Sequence, residues 1–175
     1  MSGLIADLYR QNEWANIVLL DACRGLSEEQ LDTTVQGTYG SIRETLIHIV
    51  DSEIGYAIRP ADAGLERIEP GGQWRGLDRL TELVRATAAA ATHHAMESTC
   101  EPITVDLPDL PSDVDASVIF IQMVNHSTDH RSQINTILTT LGVQPPDLSS
   151  WAWGLADGRV TCGICRSREH YGADH

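Results

Sequence analysis

At 175 residues the chain has the size of one domain, long enough to bury a single hydrophobic core without disulfides. Its 12 Lys+Arg against 25 Asp+Glu give a formal charge of -13, which repels phosphate backbones and anionic lipid and argues against nucleic acid and membrane partners. No apolar run approaches the roughly 20 residues of a membrane-spanning helix, and MSGLIADLYRQNEW lacks the basic and apolar regions of a signal peptide, so the expected compartment is the cytoplasm. Cys23, Cys100, Cys162 and Cys165 are too few and too unevenly spread for a secreted disulfide framework and read as reduced thiols.

Leu4, Ile5, Leu8, Ala15, Val18, Leu19 and Ala22 recur at helical spacing, which predicts a first long helix over 3 to 24 with Gly25 at its C-cap. Ser27 followed by Glu28, Glu29 and Gln30 resembles a capping box, but the segment is short and reads as a connector turn, with 33 to 40 as loop. Ser41 and Glu44 form a second S-x-x-E box, and Ile42, Leu46, Ile49, Val50, Ile54 and Ile58 behind it mark a second long helix over 41 to 59, closed by Pro60. Residues 60 to 76 are dense in Pro and Gly and predict a long surface connection.

Leu80, Leu83 and Val84 lead into the alanine run 88 to 91 and predict a third helix from 77 to about 98. Ile103, Val105 and Leu107 alternate between prolines and suit a short extended stretch, before Ser112 or Asp113 caps a fourth helix over 114 to 141. Its stripe is drawn through Val118, Ile121, Val124, Ile134, Ile137 and Leu141, with Gly142 at the C-cap. Beyond Pro145 and Pro146, Ser149 or Ser150 caps a short helix that sets Trp151 and Leu155 against the bundle. The expected architecture is all-α, a four-helix bundle with long crossover connections spanning 1–158, followed by a polar tail over 159–175.

His126 and His130, four residues apart, emerge on one face of the fourth helix about 6 Å apart at the Cα level. Such a pair can chelate a metal ion, or can be two hydrogen-bonded structural histidines, because H-x-x-x-H recurs by chance. His48 lies mid-helix beside Leu46, Ile49 and Val50 and adds a third nitrogen from a second inward face, which is how bundles build metal sites. Three neutral imidazoles leave at least one coordination position open, as catalytic metals require.

With SIRETLIHIVDSE, VNHSTDHRSQINTILTTLG and the closing WAWGLADGR, the chain resembles the DinB-like (DinB/YfiT) superfamily of metal-dependent bundle proteins, from residue 3 to about 158. The resemblance implies one metal held by His48, His126 and His130, with Arg131 and Gln133 also matching H-x-x-x-H-R-x-Q. It further implies transfer or isomerisation chemistry with a low-molecular-weight thiol such as bacillithiol, mycothiol or glutathione. An open position on the metal can bind a thiol as thiolate or activate water.

His93 and His94, adjacent in sequence, point about 100° apart and do not share a metal. Asp129 reads as a solvated charge, since H-S-T-D-H lacks the Glu that serves zincins as general base. Cys162 and Cys165, with His170 and His175 beyond, have no second C-x-x-C to close a zinc site and read as free thiols in a loose tail. The expectation is therefore a metal-dependent thiol S-transferase or isomerase, or a hydrolase, acting on a small molecule. The alternative is a metal-bound binding or stress protein without turnover, because no clear general acid or base stands near the triad. Three imidazoles suit Zn²⁺, Ni²⁺, Co²⁺, Cu²⁺ and Fe²⁺, with zinc the first choice and nickel the second. A homodimer through outer helix faces is the expected assembly.

Overall fold

The computed structural model describes residues 3–58, 65–68, 74–97, 102–104 and 113–160. Four long helices dominate: α1 (Leu4–Ala22), α3 (Ile42–Ile58), α4 (Gly76–Glu97) and α5 (Ala116–Thr140), with short α2 (Glu28–Leu31) and α6 (Ser150–Ala156) between and after them. Strands β1 (Pro102–Thr104) and β2 (Asp113–Asp115) pair antiparallel, Ile103 opposite Val114. The expected bundle is present, and each long helix falls within a few residues of its predicted span. Thr33 to Gly40 is non-helical, as expected, while Ser27 caps a true turn of helix with both bonds of its box formed.

α1 and α3 each pack against both α4 and α5, so the helices surround the core in the order α1, α4, α3, α5. Side-chain partners fix their directions. Arg24 meets Asp78, so α4 starts where α1 ends; Tyr9 lies beside Phe120 and Asn16 beside Arg131, so α1 and α5 run parallel. Tyr39, just ahead of α3, contacts His130, whereas Tyr56 near its end contacts His126, so α3 runs against α5. α3 and α4 then point the same way, so the end of α3 and the start of α4 lie at opposite ends of the bundle, as the expected long crossover requires.

Two hydrophobic clusters fill the interior. The larger contains Leu19, Leu20, Ile42, Leu46, Ile54, Val84, Ile134 and Leu138, and the smaller Tyr9, Ala57, Ala91 and Met123. Between them along α1 and α5 lie buried polar residues, Asn12 and Asn16 on the one and Ser127 and Arg131 on the other.

Several local expectations are corrected. α5 buries Ala116, Ile119, Met123, Ser127, Arg131, Ile134, Ile137 and Leu138, so Val118 and Ile121 stand exposed. The buried face is out of phase with the apolar stripe of the sequence because two polar residues, Ser127 and Arg131, occupy its centre. The cap of α5 is Asp115, whose carboxylate accepts from Ser117 N–H at 2.8 Å, while Asp113 lies in β2 and Ser112 falls outside the described residues. Val105, Leu107 and the tail from 161 onward, with Cys162, Cys165, His170 and His175, lie outside them too.

Ser149 caps α6, but Trp151 is 75 % exposed and Leu155 also faces outward; Gly154 is the buried residue of this helix, covered by Val160. Leu4, Ile5 and Leu8 are likewise exposed, because the first turns of α1 present Ala6 and Tyr9 to the interior instead. α1 ends at Cys23 without a left-handed Gly25, whereas Gly142 does adopt φ 74° and lets Val143 N–H reach Leu138 C=O at 2.9 Å, closing α5.

Candidate metal centre

The second helix of the sequence reading, α3, starts at a closed capping box. Glu44 N–H donates to Ser41 Oγ at 3.2 Å, and Ser41 N–H donates to a Glu44 carboxylate oxygen at 2.8 Å. A Cβ on Gly40 would sit 2.7 Å from that oxygen, so glycine keeps room for the box. Two turns on, the box delivers His48 to the seam between α3 and α5. His126 and His130, one turn apart on α5, face the same seam.

The three imidazoles are half-buried, and one ring nitrogen from each lies within 4.8 Å of the others. Nε2 of His126 is 3.0 Å from Nε2 of His48. A tetrahedral zinc with bonds of about 2.1 Å holds its nitrogens about 3.4 Å apart, which lies between the 3.0 Å of the His48–His126 pair and the 4.8 Å that bounds the set. Burial lowers the pKa of His48, helped by the neighbouring His130 and opposed by Asp51. Burial also lowers that of His126, to about 4, with His130 and His48 adding to the effect and Asp129 opposing it. Both rings are therefore neutral at pH 7, with lone pairs available to a cation.

Other groups orient the set. Gln133 Oε1 lies 3.2 Å from Nδ1 of His130 and accepts from Tyr39 N–H at 2.8 Å. A proton on that Nδ1 leaves Nε2 of His130 as its free donor. The Tyr39 ring stacks on His48 with centroids 4.0 Å apart and 12° between planes, and meets His130 edge-on at 5.1 Å. Tyr56 closes the His126 side at 6.0 Å. Nδ1 of His126 is buried and has no hydrogen-bond partner among the described residues.

The residues around the triad were only partly foreseen. Tyr39 and Tyr56 carried no pattern in the sequence, and Gln133 stood out through family resemblance alone. Asp129 is exposed, as expected. His93 and His94 lie away from the triad on α4, His93 exposed and His94 with its ring 5.5 Å from Phe120. A cavity of about 300 Å³ bordered by Cys23, Trp74 and Leu77 is separate from the histidines, none of which lines it.

The sequence profile of the DinB family matches residues 1–153. The chain belongs to the DinB family. A solved structure of a DinB-like protein from Bacillus cereus ATCC 10987 superposes with a TM-score of 0.58 at 15% sequence identity, covering 81% of this chain and 93% of that one, and so shares the fold. No curated protein matches the chain significantly. The DinB family and the three-histidine cluster together are compatible with a metal centre at His48, His126 and His130.

Proposed function

We propose that this DinB-family protein binds one divalent metal ion, zinc first and nickel, iron or cobalt otherwise, through His48, His126 and His130. The convergence of three ring nitrogens from two helices, 78 residues apart for His48 and His126, carries this reading. The donors are half-buried and all imidazole, which suits a borderline cation better than calcium or magnesium. When bound, such an ion would act as a Lewis acid toward a thiol or a water molecule.

The reaction proposed is thiol-dependent S-transfer or isomerisation of a small electrophilic substrate, with hydrolysis as the variant in which water takes the place of the thiol. The chain's own contribution is placement. Gln133 orients His130, Tyr39 covers one face of His48, and the exposed side of Tyr39 offers an aromatic wall to a substrate entering the seam. Cys23 is buried and its thiol is pushed up to about 12 by burial, so the attacking sulfur comes from a cosubstrate and not from this residue.

A second reading, metal binding without turnover, is favoured by the carboxylates nearby. Asp51, one turn from His48, is held by both Arg67 Nε at 2.7 Å and the Ile68 N–H at 2.9 Å, and Asp129 is exposed. A screen of the zinc- and nickel-loaded protein with low-molecular-weight thiols and electrophiles, and with simple esters and amides, separates the two. Turnover that disappears in His126→Ala supports the enzyme, and inactivity at full metal occupancy supports the binding protein.

The same reading has the protein act in the cytoplasm as a homodimer. No helix among the described residues is long and apolar enough to cross a membrane. Exposed Leu4, Ile5, Trp151 and Leu155 are apolar surface that a second copy would cover. Sedimentation showing only monomer at micromolar concentration contradicts the pairing.

A further inference from the structure

Each helix-α5 histidine is followed by a buried polar residue, His126 by Ser127 and His130 by Arg131. Both belong to one network in the middle of the bundle. Glu53 Oε1 accepts from Asn12 Nδ2 at 2.7 Å, Asn16 Nδ2 at 2.8 Å and Ser127 Oγ at 2.5 Å. Arg131 Nη1 donates to Oδ1 of both asparagines at 2.7 Å, and its Nη2 donates to Thr128 Oγ1 at 2.9 Å. Glu53 is 1 % exposed, and its bonds to Asn12 and Asn16 cross the diagonal of the bundle from α3 to α1.

We propose that Glu53, with Asn12 and Asn16, is a positioning device that sets the rotation of α5 and so aims His126 and His130 at His48; its bearing on metal affinity rests on the metal-centre reading above. Consecutive residues on a helix are separated by about 100°. Pinning Ser127 and Arg131 toward the bundle axis therefore turns the histidine before each of them to the α3 seam. Apolar packing alone tolerates small rotations, since one methyl contact replaces another. A buried network of one carboxylate, one guanidinium and two amides is satisfied in few arrangements, and leaving any member unpaired is costly. Glu53 also sits on α3 itself, five residues after His48, so the carboxylate that receives Ser127 belongs to the helix that supplies the third imidazole. Glu53 touches no reacting group; it acts through Ser127 and Arg131.

The test compares Glu53→Ala, Ser127→Ala, Glu53→Gln and the core variant Leu138→Ala in the full chain. Zinc affinity is read by competition with a chromophoric chelator, melting by circular dichroism, and the His48–His126 ring contact by nuclear Overhauser effects in metal-free protein. Ser127→Ala and Glu53→Ala should weaken zinc about 10-fold or more and lose the ring contact. Glu53→Gln keeps an acceptor oxygen and should stay within about threefold of the parent. Leu138→Ala should lower Tm and leave zinc affinity unchanged. Parental zinc affinity in Ser127→Ala and Glu53→Ala, with only Tm lowered, overturns the proposal. If Glu53→Ala does not fold, Ser127→Ala decides. If the parent protein binds no zinc, the metal reading fails by itself, and a ring contact preserved in Ser127→Ala then overturns the positioning role.

Discussion

The ring nitrogens of His48 and His126 face each other at 3.0 Å, although α4 and the long 59–75 connection lie between them in the chain. Between two neutral rings such a contact holds when one Nε2–H donates to the lone pair of the other, and a proton on each nitrogen would set two N–H groups against each other. Both pKa values are lowered, with burial the leading cause, which fits a pair kept free of extra protons. A cation between the rings, as proposed above, would take the place of that bridging proton.

Gln133 serves both His130 and the loop that carries Tyr39. Gln133→Leu is expected to weaken zinc about 10-fold, because the His130 ring loses the group that fixes its proton on Nδ1. Amide exchange at Tyr39 should quicken in the same variant, since its N–H loses its acceptor. Zinc titration and hydrogen exchange read the two effects, and unchanged values for both would remove Gln133 from the site.

The capping box of α3 carries a pH signature. The Ser41 backbone N–H holds the Glu44 carboxyl below its usual 4.5, its hydroxyl adding to this, against slight opposition from burial and Asp32. A folded-state value depressed below the unfolded one gives stability that is present above pH 4.5 and lost as pH falls through the folded value. Glu44→Ala should therefore flatten the fall in stability below that pH. Denaturant titrations of parent and variant that stay parallel through this range would contradict the assignment. Ser41→Ala should cost about 1 kcal/mol at neutral pH.

Cys23 is fully buried in the larger cluster, and burial pushes its thiol up to about 12. Iodoacetamide at pH 8 should leave the Cys23 peptide unmodified in native protein and alkylate it after denaturation, as peptide mass spectrometry would show. Rapid native labelling at Cys23 would mean that this end of the bundle opens readily, and would make the residue a candidate nucleophile.

Much of this architecture was legible in the sequence. The S-x-x-E box at Ser41, the Pro/Gly-rich 60–76 segment and Gly142 mark where helices begin and end, because caps and breakers act locally. The triad was legible through helical spacing and the family motif. The centre of the bundle was not. Asn12, Asn16, Glu53, Ser127 and Arg131 read as surface residues in any hydrophobicity pattern, yet they occupy core positions because they satisfy one another. Their polarity also hid the inward phase of α5, which is why Val118 and Ile121 were assigned to the core. An i,i+4 pair of asparagines amid Ala15, Leu19 and Leu20 was the one local hint. Trp151 and Leu155 differ from expectation for another reason: the buried position of α6 is Gly154, which Val160 covers, and a glycine carries no hydrophobic signal.

Metal content of parent, His48→Ala and His126→Ala proteins, purified side by side and measured by plasma emission after zinc loading, bears most directly on the central claim. The account predicts one zinc per chain in the parent and none stoichiometrically bound in either variant. Helical content should persist in both, because two imidazoles form an incomplete chelate while the buried apolar clusters remain intact. One zinc per chain in both variants would contradict it and return the three histidines to a structural role.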